Sequence, residues 1–176
     1  MNQPSELSLD QVIEICRPKN IPVIVDAAAQ LPPASNFWNF THQGADLAIF
    51  SGGKDLSGPQ ASGLILGSKE LIEIISGLGA PHHGIGRPMK VGKEEMMGLL
   101  AAVERYLSLD HEQLFETYEA RVTYWINELD GLKGLRAIRD YPNEAGQPVA
   151  RTKVVLPASH NKDTVCLLYT SPSPRD

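Results

Sequence analysis

Residues 21–54, IPVIVDAAAQLPPASNFWNFTHQGADLAIFSGGK, hold two short apolar runs that each end in chemically capable residues. The first, residues 22–25, ends at Asp26; the second, residues 45–50, ends at Ser51-Gly52-Gly53-Lys54. Short, nearly unbroken apolar runs bounded by turn signals fit strands covered on both faces, as in a parallel sheet. Ligands of such sheets bind beyond the carboxyl ends of the strands. A carboxylate and a lysine at two such ends can therefore face one pocket, and the expected fold class is α/β.

The surrounding sequence supplies a frame for that pair. Ser8, followed by Leu9, Val12, Ile13 and Ile15, predicts a short capped helix that stops at Lys19-Asn20. Leu31-Pro32-Pro33 has to be irregular, because neither proline can donate a backbone hydrogen bond. Residues 37–40 predict one helical turn carrying aromatics inward, and Gly44 breaks the chain before the second strand. Residues 63–67, GLILG, read as a third strand and residues 69–75 as a short helix. The glycine-rich stretch 77–88 has no periodicity, which marks a functional or mobile loop. Residues 90–109 follow as a long helix with Met96, Leu99, Leu100, Val103 and Leu107 at helical spacing, and the Met96-Met97 pair reads as core packing. A second long helix spans 110–129, opened by Asp110. Residues 135–138 and 149–156 alternate with charged partners and read as half-exposed strands.

Alternation of strands and helices up to residue 109, then half-exposed strands, suggests two domains: 1–109 as part of a large α/β domain and 110–164 as the start of a small α+β domain. The tail 165–176, VCLLYTSPSPRD, alternates serine and proline and reads as translated vector or adapter sequence, so it is left out of the fold. The N-terminal side also begins abruptly, one helix before the first strand, and the chain reads as a fragment.

Composition excludes several partners. The formal charge of −5 and the scatter of Lys and Arg offer no basic face for a phosphate backbone, so this segment is not expected to bind nucleic acid. No apolar run approaches the roughly 18 residues of a membrane span. Cys16 and Cys166 have no metal-ligand spacing and suit reduced thiols, and the polar N-terminus is no signal peptide; the expected compartment is the cytoplasm.

The pair at the strand ends has the chemistry that pyridoxal phosphate requires: a lysine to hold it covalently and a carboxylate to keep its pyridine nitrogen protonated. Asp26 and Lys54 fit these roles in type, order and position. Ser51, three residues before Lys54, can contact the cofactor phosphate, and Gly52 and Gly53 allow close backbone approach. Gln30 can donate to the ring hydroxyl, His82 or His83 can lie over ring or substrate, and the planar fork of Arg87 can clamp a carboxylate or phosphate. Each has a plain alternative: Asp26 as a turn cap, Lys54 as a surface lysine, the histidines as loop residues, Arg87 in an ion pair. Adjacent His82 and His83 make a poor metal pair, since their side chains diverge and no third ligand is evident. Ser51-x-x-Lys54 also has the spacing of the serine–lysine acyl-transfer motif, but the two glycines disfavour the helix that motif needs. GGK lacks the spacing of a phosphate-binding P-loop.

VIVDAAAQLPP, GADLAIFSGGKDLSGPQASGLILGSKELI and HGIGRPMKVGKEEMMGLLAAVERYL resemble the fold-type-I pyridoxal-phosphate enzymes. The resemblance is to the group containing selenocysteine synthase (L-seryl-tRNA(Sec) selenium transferase) and the D-glucosaminate-6-phosphate ammonia-lyases, and it covers about residues 7–156. It implies Lys54 as the cofactor-bearing lysine, Asp26 as the pyridine partner and Ser51 as a phosphate contact. It also implies a mostly parallel sheet in a large domain, a small C-terminal domain, and a homo-oligomer acting on a small-molecule substrate. The expected activity is a lyase that releases ammonia by C–N β-elimination from a small amino sugar phosphate or amino acid. Selenium transfer on seryl-tRNA, or a truncated non-catalytic paralogue, are the alternatives. The family's main phosphate loop and ring-stacking residue precede Asp26 and have no counterpart here.

Overall fold

The computed structural model describes residues 6–159 and 161. The chain divides into two compact units, Met1–His111 with Glu144–Gln147, and Glu112–Asn143 with Pro148–Asp176.

The first unit opens with α1 (Leu9–Cys16), started by a capping box in which Ser8 Oγ accepts from the Gln11 N–H and the Gln11 side chain accepts from the Ser8 N–H. The helix ends in a 3₁₀ turn (Arg17–Lys19) closed by Asn20 at φ 53°, a left-handed position that asparagine tolerates. Strand β1 (Ile24–Asp26) follows, then α2 (Asn36–Gln43), β2 (Leu47–Ser51), β3 (Gly63–Gly67), α3 (Lys69–Leu78) and α4 (Lys93–Ser108). Gly44 ends α2 at φ 116°, where a side chain would be strained.

The sheet order is β1-β2-β3. β1 and β2 are parallel, with Asp26 opposite Ile49, and the intervening chain through α2 supplies the crossover that parallel strands need. β3 is antiparallel to β2, with Ser51 opposite Gly63. The expected mostly parallel sheet is therefore one parallel and one antiparallel pairing among the described residues. The reason is local: residues 52–62 contain no helix and fold straight back.

One sheet face carries the core. Ala48 and Phe50 are buried with Ala27, Leu31, Phe37, Leu56 and Tyr106. Phe37 packs on Phe50 at 5.1 Å and edge-on to Tyr106 at 5.9 Å between ring centroids. A smaller cluster of Ile13, Val23 and Ala45 seats α1 beneath the strands. The other face is open toward the carboxyl ends of β1 and β2, although Leu47 at its amino end is buried. Ile24 is 57% exposed, so the expectation that the first strand is covered on both sides does not hold. α4 differs too: Met96 and Met97 are more than half exposed, and the buried positions are Ala102 and Tyr106. The methionines lie outside the stripe of α4 that meets the core, so the expected core packing is corrected.

The second unit contains most of α5 (His111–Leu129), whose first residue belongs to the first unit, and the antiparallel pair β4 (Arg136–Asp140) and β5 (Arg151–Val155). Ala137 is buried while its neighbours alternate outward, the half-exposed pattern expected from sequence. Arg139 donates bidentately to Glu119, with Nε 2.9 Å from Oε2, and its guanidinium lies 4.4 Å from the Tyr141 ring centroid. The Arg139 hydrogen bond holds the Glu119 carboxyl below its ordinary range. The 165–176 tail lies outside the described residues.

Candidate active site

In paired strands, opposed residues point to the same side of the sheet, and side chains alternate along each strand. Asp26 opposes Ile49, and Ser51 is two residues beyond Ile49. Asp26 and Ser51 therefore project from the same, open face at the carboxyl ends of two adjacent parallel strands. A cleft of about 440 Å³ lies there, and its walls include Asp26, Ala28, Ile49, Ser51, Ser62 and Gly63. A second cleft, about 320 Å³, lies at the opposite strand ends beside Arg17 and Asp46. Asp46 is committed there to the Val23 N–H at 2.7 Å, and the amino ends of parallel strands are not where such sheets bind ligands.

Asp26 does cap its turn: Oδ1 accepts from the Ala28 N–H at 3.0 Å. That bond fixes the carboxylate at the strand end and leaves Oδ2 without a partner among the described residues. The cap and the cofactor role are thus compatible, each using one oxygen.

Ser51 ends β2, and Lys54 lies in the turn that follows, exposed and without an ion pair among the described residues. The turn is tightly built. Gly52 N–H donates to the Ser62 carbonyl at 2.9 Å, Gly58 N–H to the Gly52 carbonyl at 2.8 Å, and Ser57 N–H to the Lys54 carbonyl at 2.9 Å. Gln60 Nε2 donates to the Gly53 carbonyl at 3.1 Å. A Cβ on Gly52 would fall 2.0 Å from Ser62 Oγ, and one on Gly53 would fall 2.7 Å from Gln60 Cα. The chain folding back on itself is enough to require glycine at both positions.

Lys54 is not among the residues that line this cleft, and neither are Gln30, His82, His83 and Arg87. Gln30 holds the loop after β1: its N–H donates to the Ala27 carbonyl at 3.0 Å and its own carbonyl accepts from Asn36 Nδ2 at 2.6 Å. His82 and His83 are exposed in the loop after α3, and Arg87 donates to the Pro81 carbonyl within that same loop. Sequence reasoning overlooked Tyr106, whose buried hydroxyl donates to Asp55 Oδ2 at 2.5 Å, next to Lys54. The signal was faint: a tyrosine on the inward side of a helix otherwise lined with alanine, glycine and leucine. No cluster of potential metal ligands occurs among the described residues, and no helix there is long and apolar enough to cross a membrane.

The donor set fits pyridoxal phosphate. A fixed carboxylate with one free oxygen, a hydroxyl on the same face and an unpaired lysine three residues on are the groups that its ring nitrogen, phosphate and aldehyde need.

Comparison with known proteins identifies relatives of this chain. A 5'-C-glycyluridine monooxygenase-decarboxylase from a Streptomyces species is 36% identical over 160 residues, 90% of this chain and 38% of that protein. A D-glucosaminate-6-phosphate ammonia lyase from Salmonella typhimurium is 34% identical over 157 residues, 89% of this chain and 39% of that protein. The chain thus spans less than half the length of these curated relatives. Among solved structures, the SepCysS–SepCysE N-terminal domain complex aligns over 77% of this chain and 36% of that one, with a TM-score of 0.43 and 19% identity. The family model for SelA, L-seryl-tRNA selenium transferase, matches residues 5–120, which include Asp26, Ser51, Lys54 and all of α4, and the chain belongs to that family.

Proposed function

We propose that this chain carries the lysine and ring-nitrogen side of a pyridoxal-phosphate site, with Lys54 as the catalytic residue and Asp26, Gln30 and Ser51 as cofactor contacts. When bound, pyridoxal phosphate supplies an electron sink that makes a substrate Cα–H acidic. Asp26 Oδ2 would hold the ring nitrogen protonated, while its Oδ1 stays on the Ala28 N–H. Ser51 Oγ donates to the phosphate. Lys54 Nζ would hold the cofactor covalently and, when free, would serve as general acid and base at the substrate α-carbon, passing the Cα proton to the departing β-hydroxyl. His83 and Arg87 bind substrate in this reading, with Arg87 exchanging the Pro81 carbonyl for an anionic group.

The net reaction we assign is ammonia release from a small amino sugar phosphate or amino acid. The Cα proton and the β-hydroxyl leave as water, and a water then enters to release ammonia and leave a ketone. The likeness to the Salmonella enzyme supports this branch. The formal charge of −5 supports a small substrate over a tRNA. The protein assembles as a homo-oligomer of cytoplasmic subunits, with residues 1–109 in the cofactor domain and 110–164 opening the small domain. The observation that carries the reading is Asp26 and Ser51 on one open sheet face, with Lys54 three residues beyond.

The test is an assay of the full-length protein with pyridoxal phosphate and a panel of amino sugar phosphates and β-hydroxy amino acids, measuring ammonia and ketone. Equal release from wild type and Lys54→Ala, or carbon dioxide in place of ammonia, contradicts the lyase assignment.

A further inference from the structure

α4 presents a stripe four residues apart to the turn that carries Lys54. At Gly98 a Cβ would fall 2.6 Å from Pro59 Cγ, so only glycine lets the helix approach. Ala102, one turn on, faces Gly58, where an added Cβ would meet the Ala102 methyl at 3.1 Å. Tyr106, a further turn on, reaches Asp55 with its hydroxyl at 2.5 Å. The tyrosine is 1% exposed and Asp55 lies at the surface, so the bond runs from the core outward. His111 secures the far end: Nε2 lies 3.0 Å from the Tyr106 carbonyl, which only accepts, so Nε2 donates. The two rings lie 4.8 Å apart, and His111 Nδ1 is buried without a partner among the described residues.

We propose that Tyr106 is a positioning residue for Lys54, its hydroxyl locking the neighbouring Asp55 carboxylate so that the lysine turn is held against α4. This deepens the proposed function and rests on Lys54 as the cofactor-bearing lysine. A buried tyrosine hydroxyl needs a partner, and a charged acceptor gives a shorter, stronger bond than a neutral one. The turn's other hydrogen bonds named above lie within residues 52–62, so they shape the turn without fixing it to the helix. Gly98 and Ala102 permit the approach, and Tyr106 sets the register. Leu56 seats the turn in the core, and the Tyr106 bond adds the directional restraint that keeps a covalent anchor in near-attack geometry.

The experiment uses the full chain, with amide hydrogen exchange in the absence of cofactor and borohydride trapping in the presence of pyridoxal phosphate. Tyr106→Phe keeps the ring in the core; Asp55→Ala cuts the same bond from the exposed side; Asp55→Asn keeps an acceptor. The first two are expected to speed exchange across residues 52–58 by about tenfold, as loss of one hydrogen bond to a charged group implies, with α1 unchanged. They are also expected to slow trapping on Lys54 by about tenfold, with Asp55→Asn returning both readouts to within about threefold of wild type. Exchange and trapping unchanged in Tyr106→Phe and Asp55→Ala overturn the proposal. So does a uniform loss of protection that includes α1, which makes the bond one of general stability. If wild type is labelled at no lysine while the local exchange difference persists, the cofactor reading fails and the tether stands.

Discussion

Asp26 and Ser51 share one face of the sheet, because Asp26 opposes Ile49 in the parallel pair and Ser51 stands two residues beyond it. A slip of one residue in that register would turn Ser51 into the core and leave Asp26 alone above the cleft. Both runs are short, and their pairing through Ile24–Leu47 and Val25–Ala48 is what fixes the site.

Asp26→Asn separates the cap from the charge. The amide oxygen still accepts from Ala28, so stability should change by no more than about 0.5 kcal/mol. The ring-nitrogen partner is lost, and turnover should fall at least ~100-fold, about 2.7 kcal/mol of barrier. Denaturant unfolding and steady-state kinetics together check this; undiminished turnover would remove Asp26 from the site.

Two glycines should respond oppositely to alanine. Gly53→Ala forces a Cβ to within 2.7 Å of Gln60 Cα and should cost about 1–3 kcal/mol. Gly77, in the last turn of α3, has nothing within 4 Å of an added Cβ, so Gly77→Ala should stabilise by about 0.5–1 kcal/mol. Urea midpoints of the two variants give the comparison.

Leu56 anchors the lysine turn from below and is fully buried. Leu56→Ala should cost about 2–5 kcal/mol through the cavity it leaves. A loss below about 1 kcal/mol would show a site able to collapse, at odds with its packing in the core cluster.

In the second unit, the hydrogen bond from Arg139 lowers the folded-state pKa of Glu119, so the pair stabilises above the ordinary glutamate range of about pH 4.3. That contribution is lost as pH falls through the lowered folded value. Glu119→Gln should flatten the pH dependence of stability in this acid range, and 1 M salt should weaken the wild-type effect because the pair is half exposed. An unchanged acid profile in Glu119→Gln would place the acid sensitivity elsewhere.

Local signals carried much of the fold. Ser8 marked the start of α1, Gly44 the end of α2, and the runs before Asp26 and Ser51 the parallel pair. What lay beyond local pattern was long-range. Whether β3 runs parallel depends on how residues 52–62 pack on themselves, through bonds such as Gly52 to Ser62 that no periodicity reveals. The Tyr106–Asp55 bond joins residues 51 apart in sequence. Met96 and Met97 have core-like chemistry, yet the Gly98–Ala102–Tyr106 stripe decides which side of α4 faces inward, because small residues allow the closest approach. The shared face of Asp26 and Ser51 was legible because both close apolar runs that pair as parallel strands. Gln30 and Arg87 are held by loop hydrogen bonds instead, and loops leave little pattern in the sequence.

The most direct test of the account is borohydride reduction of the full-length protein with pyridoxal phosphate, followed by peptide mapping. The expected result is a single reduced adduct on Lys54, absent from Lys54→Ala and diminished in Asp26→Asn. An adduct on any other lysine, or none, would contradict the assignment of Lys54 and with it the site at the ends of β1 and β2.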